Sequence, residues 1–176
     1  MNKSSFLFHL GQTVETVIEM CAERGIPLSA SQVDHACYRV KDAERYAAAK
    51  GEVQGFATLI QETSFGGRLV ATFRLHEPVA LDHGGERLHL LELATYKPGS
   101  KAEEGFEHVE FLTSVPLYIF MEQYGSKVDF DARGLHKHLN PTLALLLDRG
   151  LSAKFHRIPL DEIIRLEQAL GLKPGT

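Results

Sequence analysis

The sequence predicts an α+β protein in which one strand–helix–strands pattern occurs twice, with a helix before the first copy and another after the second. Three observations lead there. The order of elements restarts after a polar linker, Lys97 to Gly105. The first strand of each copy opens with an acid followed by a histidine, Asp34-His35 in one and Glu107-His108 in the other. Apolar residues near both ends of the chain recur at helical spacing. A single domain is expected over 1–176, with a helical extension at 1–30, a first copy at 33–96 and a second copy with its terminal helix at 106–170.

In the first segment Phe6, Leu10, Val14, Val17, Ile18 and Cys21 make one apolar stripe, and Gly25 and Pro27 end it. Val33 to Val40 then alternates. Ala36, Tyr38 and Val40 share one face, and His35, Cys37 and Arg39 share the other, as in a strand with two environments. Asp42 is an N-cap for a helix from Ala43 to Lys50. Gly51 interrupts it, and the spacing of Phe56, Leu59 and Ile60 predicts that it resumes to about Gln61. Gly66-Gly67 marks a turn into a strand from Arg68 to Leu75. His83-Gly84-Gly85 reads as a hairpin tip, with Leu88 to Ala94 returning.

The second copy follows the same plan. Phe106 to Leu112 is a strand, and Val115 to Tyr124 is a short helix closed by Gly125. Leu135 to Leu147 reads as a strand broken at Pro141, and Leu151 to Ile158 as the last strand. Ile163, Ile164 and Leu166 give the terminal helix, Asp161 to Leu170, its apolar side.

Composition narrows the function. The chain has 176 residues, 44% hydrophobic and 24% charged, with a formal net charge of −4. That balance argues against nucleic acid as the partner, because neutralising phosphates needs a surplus of Lys and Arg. No apolar run approaches the ~20 residues that cross a membrane, and the first residues do not read as a signal peptide. Two cysteines, Cys21 and Cys37, exclude a disulfide framework and suit a reducing, cytoplasmic setting. The unusual count is nine histidines, each able to bind a metal or move a proton near neutral pH.

The candidate chemistry lies on the strand faces. His35 and His108 occupy matched positions and point away from the larger apolar residues. Glu92 sits between Leu91 and Leu93, so it faces opposite them, and an unpaired buried acid would be costly. Two histidines and a glutamate from separate strands make a divalent-metal set that leaves positions open for substrate. His156, on a shared face with Lys154 and Ile158, is a fourth ligand or a neighbouring acid/base. Glu110, two residues beyond His108 on the same face, is a candidate general base. Arg39, Arg68 and Arg74 are candidates for binding an anionic substrate group. The bland alternatives are a solvated strand face for the arginines, and satisfied core or surface positions for the histidines. P-loop, GxGxxG, GxSxG and CxxC patterns are absent.

The segments DHACYRV (34–40), FRLHEPVAL (73–81), LHLLELATYKPG (88–99), EGFEHVEFL (104–112), NPTLALLL (140–147) and AKFHRIPLDEII (153–164) resemble the YecM family of the vicinal oxygen chelate superfamily. The resemblance runs from about Ile26 to the end of the chain. It implies paired βαβββ modules whose sheet forms an open, cupped mixed barrel around a metal. The ligands would come from the first and last strands of each module, positions held here by His35, Glu92, His108 and His156. Many superfamily enzymes carry Glu at the last of these, where this chain offers Lys154 or His156.

The expected function is a metal-dependent enzyme of the vicinal oxygen chelate type. It would bind a small oxygenated substrate at a divalent ion (Zn, Fe, Mn or Ni) for isomerase, lyase or dioxygenase chemistry. The alternative is a non-catalytic small-ligand-binding protein using the same cup. A third reading makes the N-terminal helix a docking surface. Oligomeric state is not legible from these residues.

Overall fold

Eight strands form one mixed sheet in the order β2-β3-β4-β1-β5-β8-β7-β6. The computed structural model describes residues 2–29, 32–82, 86–97, 99 and 102–173. The elements are α1 (Lys3–Glu23), β1 (Val33–Val40), α2 (Ala43–Gln54), β2 (Ala57–Phe65), β3 (Arg68–Ala80), β4 (Arg87–Thr95), β5 (Gly105–Leu112), α3 (Leu117–Tyr124), β6 (Phe130–Asp131), β7 (Leu143–Leu146), β8 (Ser152–His156) and α4 (Leu160–Leu170). The strand order reads alike outward from its centre. β1 and β5 pair antiparallel there, β4 runs parallel beside β1, and β8 runs parallel beside β5. This is the paired βαβββ arrangement, and its two first strands meet in the middle of the sheet.

Residue alternation assigns the two faces. Ala36 and Val40 of β1, Leu91 and Leu93 of β4, Val109 and Phe111 of β5, and Ala153 and Phe155 of β8 are all buried in one hydrophobic core. The stripe Phe6, Leu10, Val14, Val17, Ile18 and Cys21 brings α1 onto that core. Asn2 caps the helix by accepting from Ser5 N–H. Tyr46, Ala49 and Val53 of α2, and Leu117 and Phe120 of α3, complete the layer. The residues between these positions, including His35, Glu92, His108, Glu110, Lys154 and His156, therefore face the other side.

Helix α4 approaches that other side. Its Leu160, Ile163, Ile164 and Glu167 line the same cavity as His35 and Glu110. Its first turn is fastened by Leu160 N–H donating to Asp34 at 3.1 Å and by an Arg74–Asp161 ion pair at 2.8 Å. Gly171 ends it in the left-handed region, at φ 64°.

Two expectations need correction. Helix α2 runs unbroken through Gly51 to Gln54, because a mid-helix glycine costs only about 1 kcal/mol. The segment after it is strand β2, not resumed helix. Leu59 pairs with Phe73 while Gln61 pairs with Thr72, so Ile60 is the extra residue of a β-bulge. The bulge breaks the two-residue period and leaves a helix-like spacing of apolar residues. The second correction is the 135–147 segment, of which only Leu143–Leu146 is strand. Before it come a 3₁₀ turn, Arg133–His136, and an irregular loop. Pro141 cannot donate to a ladder, and Thr142 N–H instead bonds back to Gly134 O. Strand β3 also extends beyond Leu75, to Ala80. The hairpin tip read at His83-Gly84-Gly85, and Pro98, Ser100 and Lys101 of the linker, lie outside the described residues.

Candidate functional site

The register of the central strands builds the site. His35 stands opposite Glu110, and Cys37 opposite His108, across the β1–β5 pair. Lys154 stands opposite Glu110 across the β5–β8 pair, and Glu92 opposite Cys37 across the β4–β1 pair. His35, Glu92, Glu110 and Lys154 line a cavity of about 180 Å³.

Glu110 is the point of convergence. Its Oε1 lies 3.6 Å from His35 Nε2, 3.2 Å from His108 Nε2 and 2.9 Å from Lys154 Nζ. Its Oε2 lies 3.6 Å from His156 Nε2. The ligating atoms of His35, His108 and Glu110 fall within 4.8 Å of one another, and so do those of Asp34, His35 and His156. A third such group joins Cys37, Glu107 and His108. Two metal–ligand bonds span about 4 Å, so only small side-chain shifts would be needed to enclose an ion.

The other nitrogen of each ring is already committed. His35 Nδ1 lies 2.8 Å from Asp34, His108 Nδ1 lies 3.3 Å from Glu107, and His156 Nδ1 lies 2.8 Å from the Ile158 carbonyl. Carboxylates and carbonyls only accept, so Nδ1 carries a proton in all three rings. Each Nε2 is thereby turned inward, the outer-partner arrangement that orients metal-binding histidines. Among the described residues His35 Nε2 and His156 Nε2 are buried with no hydrogen-bond partner, and such orphaned atoms are uncommon. The acid before each first-strand histidine is therefore its anchor. The pattern is visible in the sequence, but its role depends on the fold.

Charge is distributed unevenly. Burial works against a charge on His35, but the carboxylates of Glu110 and Asp34 outweigh it and push the ring up to about 10. Burial and the Lys154 ammonium bring His108 down to about 4. Burial also lowers His156. Burial opposes ionisation of Glu110 and Glu92, yet Lys154 and His35 hold Glu110 well below the carboxylate range, and His35, His108 and Lys154 lower Glu92. Burial and Glu92 keep the Cys37 thiol protonated, so it is no nucleophile.

The other sequence candidates are placed as follows. Glu92 borders the cavity and accepts from Cys37 Sγ at 3.3 Å, but joins none of the three ligating groups among the described residues. Arg39 is buried and engaged with Glu107 and, at 3.1 Å, with the Thr95 carbonyl, so it braces the residue that anchors His108. Arg68 lines the cavity, whereas Arg74 lies in a separate groove with His89 and Asp161. Two residues not singled out as site candidates, Lys137 and Asn140, line the cavity from the irregular loop. Asn140 opens the segment NPTLALLL that carries the family resemblance, and the loop holding Lys137 has no periodic pattern to mark it.

The palindromic, cupped sheet defines a vicinal oxygen chelate fold. A methylmalonyl-CoA epimerase from Mycobacterium tuberculosis shares it at a TM-score of 0.52 and 12% identity, over 72% of this chain and 87% of that one. A methylmalonyl-CoA epimerase in complex with methylmalonyl-CoA and NH4+ does so at 0.50 and 15%, over 73% and 95%. A structure described as "Structural Genomics, Protein EC4020" aligns at a TM-score of 0.73 and 21% identity, over 94% and 92%. The YecM protein family matches residues 4–167. Protein YecM of Escherichia coli (strain K12) is 30% identical over 162 residues, 81% of this chain and 80% of that protein. The chain belongs to the YecM family. Among its described residues no helix is long and apolar enough to cross a membrane.

Proposed function

We propose that this protein is a metal-dependent enzyme of the vicinal oxygen chelate type, acting on a small oxygenated substrate held in the cup. One observation carries the reading. Three imidazole Nε2 atoms converge on the Glu110 carboxylate, and each Nδ1 is tied to an outer partner.

The donor set fits a divalent cation of the Zn, Fe, Mn or Ni kind, since imidazole and carboxylate are its usual ligands. His35, His108 and Glu110 would hold it, with His156 as a fourth donor. This moves Glu110 from general base to ligand. Glu92 becomes the carboxylate available to the substrate, as its separate position beside Cys37 suggests. When bound, the cation would supply Lewis-acid polarisation of a substrate oxygen. Glu92, ionised at neutral pH under the surrounding positive charge, would take a proton from carbon beside a carbonyl. Leu160, Ile163 and Ile164 of α4 would exclude water from that face.

Elemental analysis of the purified protein tests this. About one divalent ion per chain is expected, with loss in His35→Ala. A metal-free protein that binds no added divalent ion would end the reading. A second reading, ligand binding without chemistry, is favoured by one observation: the Lys154 ammonium already supplies a positive charge between His108 and Glu110.

A further inference from the structure

The cavity has a second polar end, away from the imidazoles. Arg68, at the start of β3, lines it together with Gln61, Thr63 and Thr72. Its Nε is buried and has no hydrogen-bond partner. Among the described residues no ion pair or hydrogen bond is made by any of its side-chain nitrogens. The positive charges nearby are otherwise matched, Arg39 by Glu107 and Lys154 by Glu110. Glu92 acts on Arg68, but it also faces His35, His108 and Lys154. Lys137 stands exposed on the rim of the same cavity, and its side chain is likewise unpaired among the described residues. Lys137 feels the carboxylates of Glu110 and Glu92 as well as the positive charges of Lys154 and Arg68. A buried guanidinium donor that faces a small cavity without a partner is matched by an anion placed there.

We propose that Arg68 and Lys137 form a carboxylate-binding subsite, and that the protein's substrate is a small organic acid bearing a second oxygen function. A guanidinium presents paired donors that match a planar carboxylate. Size agrees. The volume of about 180 Å³ is below the ~300–1,000 Å³ of sites for drug-sized ligands. Thr72 pairs with Glu92 and Glu92 with Cys37, so Arg68, four residues before Thr72, lies toward the Arg39 end of β1 and not beside His35. A small acid in this cavity would place its carboxylate on Arg68 and direct its second oxygen toward Glu110 and His35, which line the same space. Only this second contact rests on the metal reading; the anion subsite stands on Arg68 and Lys137.

The test is isothermal titration of malonate, a three-carbon dicarboxylate, into the chelator-stripped protein, with inorganic phosphate and acetate as parallel probes. Malonate is expected to bind. Arg68→Met should weaken it at least about tenfold, Arg68→Lys and Lys137→Met less, and Arg165→Met, on the exposed side of α4, not at all. Circular dichroism of Arg68→Met checks folding, and Arg68→Lys, which keeps the charge, carries the comparison if Arg68→Met is unfolded. Arg68-dependent malonate binding by a protein that takes no metal would leave the subsite standing and remove the metal reading. Malonate binding equal in wild type and Arg68→Met, tighter binding of phosphate than malonate, or no binding of any probe would overturn the proposal.

Discussion

Lys154 Nζ lies 2.9 Å from His108 Nε2, so an ammonium donates to the nitrogen that a metal would use. The same ammonium lies 2.9 Å from Glu110 Oε1. Lysine and metal therefore compete for two donors. Lys154→Met should raise divalent-metal affinity, by about tenfold if one charge-assisted hydrogen bond is released. In the metal-free protein the same change leaves Glu110 short of a partner and should cost about 1–3 kcal/mol. A chelator-competition titration and urea denaturation measure the two effects. Unchanged metal affinity would mean that the ammonium does not occupy the ion's place.

Asp34 anchors His35 and also accepts from Leu160 N–H at the start of α4. Asp34→Asn keeps an oxygen for the helix but loses the charge on the ring. Metal affinity should fall about 10–100-fold, the usual cost of removing an outer partner. The metal-free protein should also lose stability, because the buried His35 ring loses a carboxylate that favours its charge. Equal affinities in a zinc titration would show that the carboxylate does not orient the ring.

Much of this was legible in the sequence. The face alternation of β1 and β5, and the acid–histidine pairs that begin them, are local patterns, and local patterns survive folding. What the sequence hid was register. Glu92 and Glu110 both lie on the cup face. Which of them meets the imidazoles depends on Cys37 standing opposite Glu92 while His35 stands opposite Glu110. Pairing between strands far apart in the chain leaves no periodic trace. The Arg39–Glu107 pair, 68 residues apart, was hidden for the same reason. Strand β2 was obscured by its own bulge at Ile60.

The metal-free protein should be most stable near pH 6.5. His108 is held to about 4 against an ordinary value of 6.5, so the unfolded chain binds its proton more readily. Its contribution is lost as pH falls from 6.5 toward 4. His35 is pushed up to about 10 from 6.5, so its contribution is complete below 6.5 and is lost as pH rises toward 10. Urea midpoints across pH 4–10 would follow both limbs. His35→Gln should flatten the alkaline limb, and an alkaline limb identical to wild type would contradict the assignment.

The loop bearing Lys137 and Asn140 depends on Gly134. A Cβ at Gly134 would collide with Thr142 Oγ1 and with the Thr142 carbonyl oxygen, and the carbonyl belongs to backbone. Gly134→Ala should therefore cost about 1–3 kcal/mol and displace the cavity rim. Gly51→Ala, where an added Cβ meets nothing within 4 Å, should stabilise α2 by up to about 1 kcal/mol. Thermal unfolding of the two variants gives the comparison, and a Gly134→Ala protein as stable as wild type would show that the loop can move aside.

The central claim is that His35, His108 and Glu110 close on one divalent ion. The most direct measurement is an anomalous-difference map from a zinc-soaked crystal, collected at the zinc edge. A single strong peak should lie about 2.0–2.2 Å from His35 Nε2, His108 Nε2 and a Glu110 oxygen, with the Lys154 ammonium displaced. An empty cup, with Lys154 still bridging His108 and Glu110, would contradict it.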